Sequence, residues 1–129
     1  VIAQAWLAQS KTGGLARKTH QEDHMPENTA KVKITVLKKT FNADLVQKYL
    51  QTDGSYGFCD QFRDGQEFVT DQPWSVPEGF CTWAWADIRA DIQTIMLGGD
   101  LPWMKERHVA IAMCTDVFRP VIFKIERVE

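Results

Sequence analysis

The stretch Cys81-Thr82-Trp83-Ala84-Trp85-Ala86-Asp87-Ile88-Arg89-Ala90-Asp91-Ile92-Gln93-Thr94-Ile95-Met96-Leu97-Gly98-Gly99 decides the fold. Within it Cys81, Trp85, Ile88, Ile92 and Ile95 recur at alternating steps of four and three, which places them on one face of an α-helix. Pro77-Glu78-Gly79 precedes this helix, and Gly98-Gly99 supplies a natural carboxy-terminal cap. A single apolar stripe needs a surface to pack on. The flanking segments supply one.

Downstream, after the loop Asp100-Leu101-Pro102-Trp103-Met104, two strands are predicted over His108–Cys114 and Pro120–Val128. Their connection, Thr115-Asp116-Val117-Phe118-Arg119, is short enough to require antiparallel pairing. Upstream, Val32, Ile34 and Val36 alternate with Lys33 and Thr35, the signature of a half-buried strand. Asn42 is placed to cap a short helix over Ala43–Leu50, with Leu45, Val46 and Tyr49 on its inner side. Asp53-Gly54-Ser55-Tyr56-Gly57 reads as a loop closed by Phe58-Cys59, and Asp64-Gly65 as a turn into a strand at Gln66–Thr70. The expected architecture is α+β: about four antiparallel strands packed against one main helix, with a shorter helix beside them.

The chain has 129 residues, room for one ordinary domain, and this reading assigns it to residues 31–129. Residues 1–30 read as an arm: a short amphipathic start carrying Trp6 and Leu7, a breaker-rich Ser10–Gly14 stretch, then polar sequence. Alone, such a segment buries too little to offset its ordering entropy, so docking on a second copy or a partner protein through residues 1–24 is expected. A natural start at Met25 is an alternative. No internal repeat or low-complexity tract is evident.

Hydrophobic content of 44% and charged content of 25% belong to a globular chain rather than a disordered one. Formal net charge is -2 and no basic run exceeds two adjacent residues, which argues against a nucleic-acid surface. No apolar run approaches the roughly 20 residues of a membrane span, and Val1–Leu7 lacks the flanks of a signal peptide. A soluble, cytoplasmic protein is the expectation. The 3 cysteines cannot all pair within one chain, so reduced thiols are expected: packing residues, metal ligands or reactive groups.

Each cysteine falls at an element boundary. Cys59 ends a loop, Cys81 stands at the start of the main helix, and Cys114 closes a strand. At the helix start, unpaired backbone N–H groups and the helix dipole favour a thiolate, which makes Cys81 the most activated of the three. Packing alone is the competing reading, since free cysteine is often a small buried hydrophobe and no C-x-x-C knuckle is present. If Cys59, Cys81 and Cys114 bind a metal, zinc or iron is the candidate, and a further ligand or an open position is needed. His108 is on the same strand face as Cys114, but six residues of strand separate them by about 20 Å, too far to share an ion. Asp60 and Asp116 are nearer in sequence to a cysteine, while His20 and His24 lie in the polar arm.

A second set of residues is polar. Asp100 follows the double glycine, and Asp116 shares a loop with Arg119. Such a pair braces its loop or orients an anionic substrate beside a thiolate. Glu78 is either a dipole-compatible residue at the helix start or an acid–base group near Cys81. Among the aromatics, Trp85 belongs to the inner stripe; Trp83 lies off it, and Trp74 and Trp103 occupy loops suited to a pocket or an interface.

Several motifs resemble a family of small prokaryotic three-cysteine proteins, catalogued as a repeat family without an assigned activity. They are Val32-Lys33-Ile34-Thr35-Val36-Leu37-Lys38, Pro77-Glu78-Gly79-Phe80-Cys81, Gly98-Gly99-Asp100 with Pro102-Trp103-Met104, and Cys114-Thr115-Asp116 with Arg119-Pro120-Val121-Ile122-Phe123-Lys124-Ile125-Glu126. The resemblance spans essentially all of 31–129, leaves the arm outside, and implies cysteines at the places of Cys59, Cys81 and Cys114. Where relatives often carry glycine and leucine before the Arg-Pro, this chain has Val117-Phe118. The resemblance raises the expectation that the three cysteines act together, in metal binding or in thiol redox chemistry on a small molecule. Cys81, Asp116 and Arg119 are then the catalytic candidates. The alternative is a non-enzymatic assembly subunit whose cysteines are structural.

Overall fold

The computed structural model of the chain describes residues 30–128. Residues 1–29 of the arm, with its expected docking role and with His20 and His24, lie outside the described residues. Element order is β1 (Lys31–Lys39), α1 (Ala43–Tyr49), β2 (Glu67–Thr70), α2 (Thr82–Met96), β3 (Val109–Met113) and β4 (Val121–Val128). The four strands form one antiparallel sheet in the order β2-β1-β4-β3. The expected α+β architecture is present, and the predicted elements lie within a residue or two of their assigned spans except β1, which runs three residues past Val36.

The alternation in β1 works as the pattern demands. Val32, Ile34 and Val36 are buried, and register pairs Ile34 with Ile125 and Val36 with Phe123 on the same inner face. Onto that face α2 lays Trp85, Ile88, Ile92 and Ile95, all buried. Burying such side chains contributes about 1.5–3 kcal/mol each relative to leaving them in water, so this stripe anchors the helix. Phe62, Phe68, Phe80 and Phe123 interlock with ring centroids 4.8–6.0 Å apart, most of them edge to face.

Helix α2 stops where the double glycine dictates. Gly98 takes φ 89, its N–H donates to the Ile95 carbonyl at 3.1 Å, and the Gly99 N–H donates to the Thr94 carbonyl at 2.9 Å. These are the two bonds of a Schellman motif. A side chain on Gly99 would meet Thr94 at 2.8 Å, so both glycines are needed, one for conformation and one for space.

Two local expectations are corrected. Asn42 does not cap α1 through its side chain; its amide instead donates to the Val117 carbonyl at 2.7 Å, tying the helix start to the β3–β4 connection. Tyr49 does not face inward either. It is 68% exposed, and only Val46 of α1 is buried, because a two-turn helix at the sheet margin presents one residue squarely to the body. The register of β1 against β4 shifts between Val36 and Lys38, a bulge that leaves Leu37 exposed. Beyond the bulge, Lys39 Nζ donates to the Cys59 carbonyl at 3.0 Å. Among the described residues no helix is long and apolar enough to cross a membrane.

Candidate functional site: a pocket lined by three cysteines

Each cysteine is fixed by a different element. Cys59 is buried at the end of the loop after α1, and its Sγ accepts the Gln61 N–H at 3.4 Å. Cys114 lies one residue beyond β3, where its N–H donates to the Val121 carbonyl at 3.1 Å and its Sγ accepts the Val121 N–H at 3.3 Å. Cys81 is the N-cap residue of α2, in extended conformation (φ -64, ψ 124), and makes no side-chain cap hydrogen bond. It is only half-buried, unlike the other two.

The fold brings all three to one cavity of about 410 Å³, bordered also by Phe62, Trp83 and Arg119. The helix start forms one wall, the β3–β4 connection a second, and the Cys59–Phe62 loop a third. Lining one cavity is a looser relation than sharing an ion. Among the described residues, no group of three or more His, Cys, Asp or Glu side chains is arranged to hold a metal. The cysteines are free, with no disulfide between them.

Asp116 and Arg119 border the same cavity. One Asp116 carboxylate oxygen accepts the Phe118 and Arg119 backbone N–H groups at 3.1 and 3.3 Å, and the other accepts Arg119 Nε at 3.0 Å. The carboxylate is therefore occupied as a brace. Its product is a fixed guanidinium, which also lies 4.8 Å from the Tyr56 ring centroid. The hydrogen bond that Arg119 donates to Asp116 raises the Arg119 pKa above its ordinary value, against the opposing effect of burial, with Tyr56, Asp116 and Cys59 adding charge attraction. Arg119 stays cationic across any working pH.

Glu78 lies elsewhere. It is exposed in the turn closed by the Phe80 N–H on the Pro77 carbonyl (3.1 Å), outside α2, and is not among the residues lining the cavity. His108 and Asp100 lie at the opposite end of β3 from Cys114 and do not join the site. Trp74 and Trp103 are exposed on loops and line no wall of this cavity.

Sequence reasoning missed two contributors. Tyr56, taken as a loop residue, supports Arg119. Asp87 on α2 accepts the Thr115 backbone N–H at 2.7 Å and its hydroxyl at 2.9 Å, while Thr115 Oγ accepts the Trp83 Nε1–H at 3.0 Å. The spacing of Trp83 and Asp87, four residues apart on one helix flank, was a readable signal. Their meeting with Thr115 was not. Compared with protein-family models, curated proteins and solved structures, the chain matches none of them.

Proposed function

We propose that this cavity binds a small molecule and that Cys81 is the thiol that reacts with it by thiol–disulfide exchange. The observation carrying the reading is that a loop end, a helix start and a strand end deliver Cys59, Cys81 and Cys114 to one cavity beside a fixed cation. Core packing would not need the three to share a solvent-reachable space. Cys81 is the thiol that solvent reaches most readily, and access governs which sulfur is attacked. In the exchange, the Cys81 thiolate attacks one sulfur of a small disulfide. The sulfur–sulfur bond breaks, one half leaves as thiolate, and the other stays in a mixed disulfide with Cys81. Arg119 orients the bound molecule, and Asp116 acts through Arg119 by holding it in place.

Exposure of the full chain to hydroxyethyl disulfide, followed by peptide mass spectrometry, tests this. Cys81 is expected to gain the adduct first, with Cys59 and Cys114 modified only after denaturation. Three thiols equally silent in the folded protein would overturn it. A stoichiometric zinc or iron in the purified protein, with thiols that react only after chelation, would turn the reading to a metal centre.

A further inference from the structure

The walls of the cysteine pocket narrow what it accepts. Phe62 is almost fully buried and packs against Phe80 and Phe123, with ring centroids 5.0 and 5.1 Å away, so it is an immobile part of the wall. Trp83 and Phe118 border the more open side. Trp83 is 66% exposed, yet its indole is tethered through its one polar atom to Thr115, which Asp87 holds in turn. A ring ordered before binding costs a ligand less to stack on. Arg119 is similarly preset. Asp116 takes its Nε, and among the described residues no terminal nitrogen of the guanidinium has another bonding partner. Because Asp116 offsets its charge, Arg119 would recognise a ligand by directed N–H donation more than by net field.

We propose that the pocket takes a small aromatic molecule bearing a carboxylate and a thiol-reactive group. Trp83 serves as its stacking wall, Arg119 as its carboxylate contact, and Asp87 and Thr115 as positioning residues for the indole. This rests on the thiol reading above and names its substrate class. With an aryl disulfide the step balances simply: the Cys81 thiolate displaces one arylthiolate, which leaves with the electron pair of the broken sulfur–sulfur bond.

The test uses the full chain and three probes: dithiobis(nitrobenzoate), which is aromatic and carboxylated; dithiodipyridine, aromatic and uncharged; and hydroxyethyl disulfide, neither. Each Cys81 rate is divided by the rate of free glutathione with the same probe, which removes intrinsic reactivity. The nitrobenzoate probe is expected to lead hydroxyethyl disulfide by about tenfold, with dithiodipyridine between. Trp83→Ala should erase the preference for both aromatic probes. Thr115→Val should reduce it, while Thr115→Ser, which keeps the hydroxyl, should retain it. Arg119→Gln should remove only the advantage of the nitrobenzoate over dithiodipyridine. Normalised rates equal within about twofold for all probes would overturn the substrate class while leaving Cys81 a reactive thiol. A Thr115→Ser chain behaving like Thr115→Val would overturn the positioning role. Silence of Cys81 toward all three would instead overturn the thiol reading itself.

Discussion

The two ends of β3 carry the same local chemistry in different surroundings. At its start, Asp100 pairs with Arg107 through an Nε–Oδ2 contact of 3.0 Å; past its end, Asp116 pairs with Arg119 through a contact of the same length. The Arg107 side chain is 82% exposed and the Arg119 side chain 29%. Asp100 spends its other oxygen on the His108 N–H at 2.6 Å, holding a residue at φ 59, where a side chain is strained. Asp116 spends its own on the loop that aims Arg119 at a cavity lined by three thiols. An aspartate–arginine pair is therefore not informative by itself. What it borders decides whether it only braces a corner or equips a site.

The contrast is exposed most sharply at the thiols. Cys81→Ser should abolish the exchange adduct outright, read by intact mass, while Asp100→Ala should leave the Cys81 rate within about twofold because the two corners share no partner. A comparable rate loss in Asp100→Ala would break the distinction between the two ends of β3. Next in size, Asp116→Ala should destabilise the fold by about 1–2 kcal/mol in urea titration, three hydrogen bonds being lost at a partly exposed site. It should also loosen the probe preference; a stability loss with preference intact would reduce Asp116 to a brace alone. At the other corner, His108→Val should cost about 1–2 kcal/mol because a β-branched side chain resists positive φ. Thiol kinetics should not move.

The smallest expected effect is on acid stability. The His108 backbone N–H, with help from Arg107, holds the Asp100 carboxyl below its ordinary 3.8. A lowered carboxylate pKa means stability present above the ordinary value and lost as pH falls through the folded one. The melting-temperature gap between the native chain and Asp100→Asn should hence shrink as pH drops below about 4. A gap that widens on acidification would contradict the assignment.

Much of the fold was legible because its signals are local and periodic. The alternation at Val32, Ile34 and Val36, the stripe from Trp85 to Ile95 and the paired Gly98 and Gly99 each state a conformation within a few residues. Expectations failed where a side chain's surroundings come from residues distant in the chain. Asn42 suits a helix cap, but its side chain makes no cap bond and its amide donates to the Val117 carbonyl of a distant loop, and a position nominally inward on α1 left Tyr49 in solvent. For the site, element boundaries marked Cys59, Cys81 and Cys114 as candidates, and Asp116 with Arg119 read as a pair from spacing alone.

By itself the sequence determined which residues stand at the ends of elements, which faces are apolar, and that β3 and β4 pair through a short connection. Only the tertiary structure decided that three boundary cysteines share one cavity, that Tyr56 lies against Arg119, and that Asp87 and Thr115 fix Trp83. The reason is range. Backbone conformation answers to neighbours a few positions away, whereas Trp83 and Thr115 are 32 residues apart and Asp87 and Thr115 are 28 apart. Their meeting depends on where α2 settles across the sheet, and packing of the whole core sets that position.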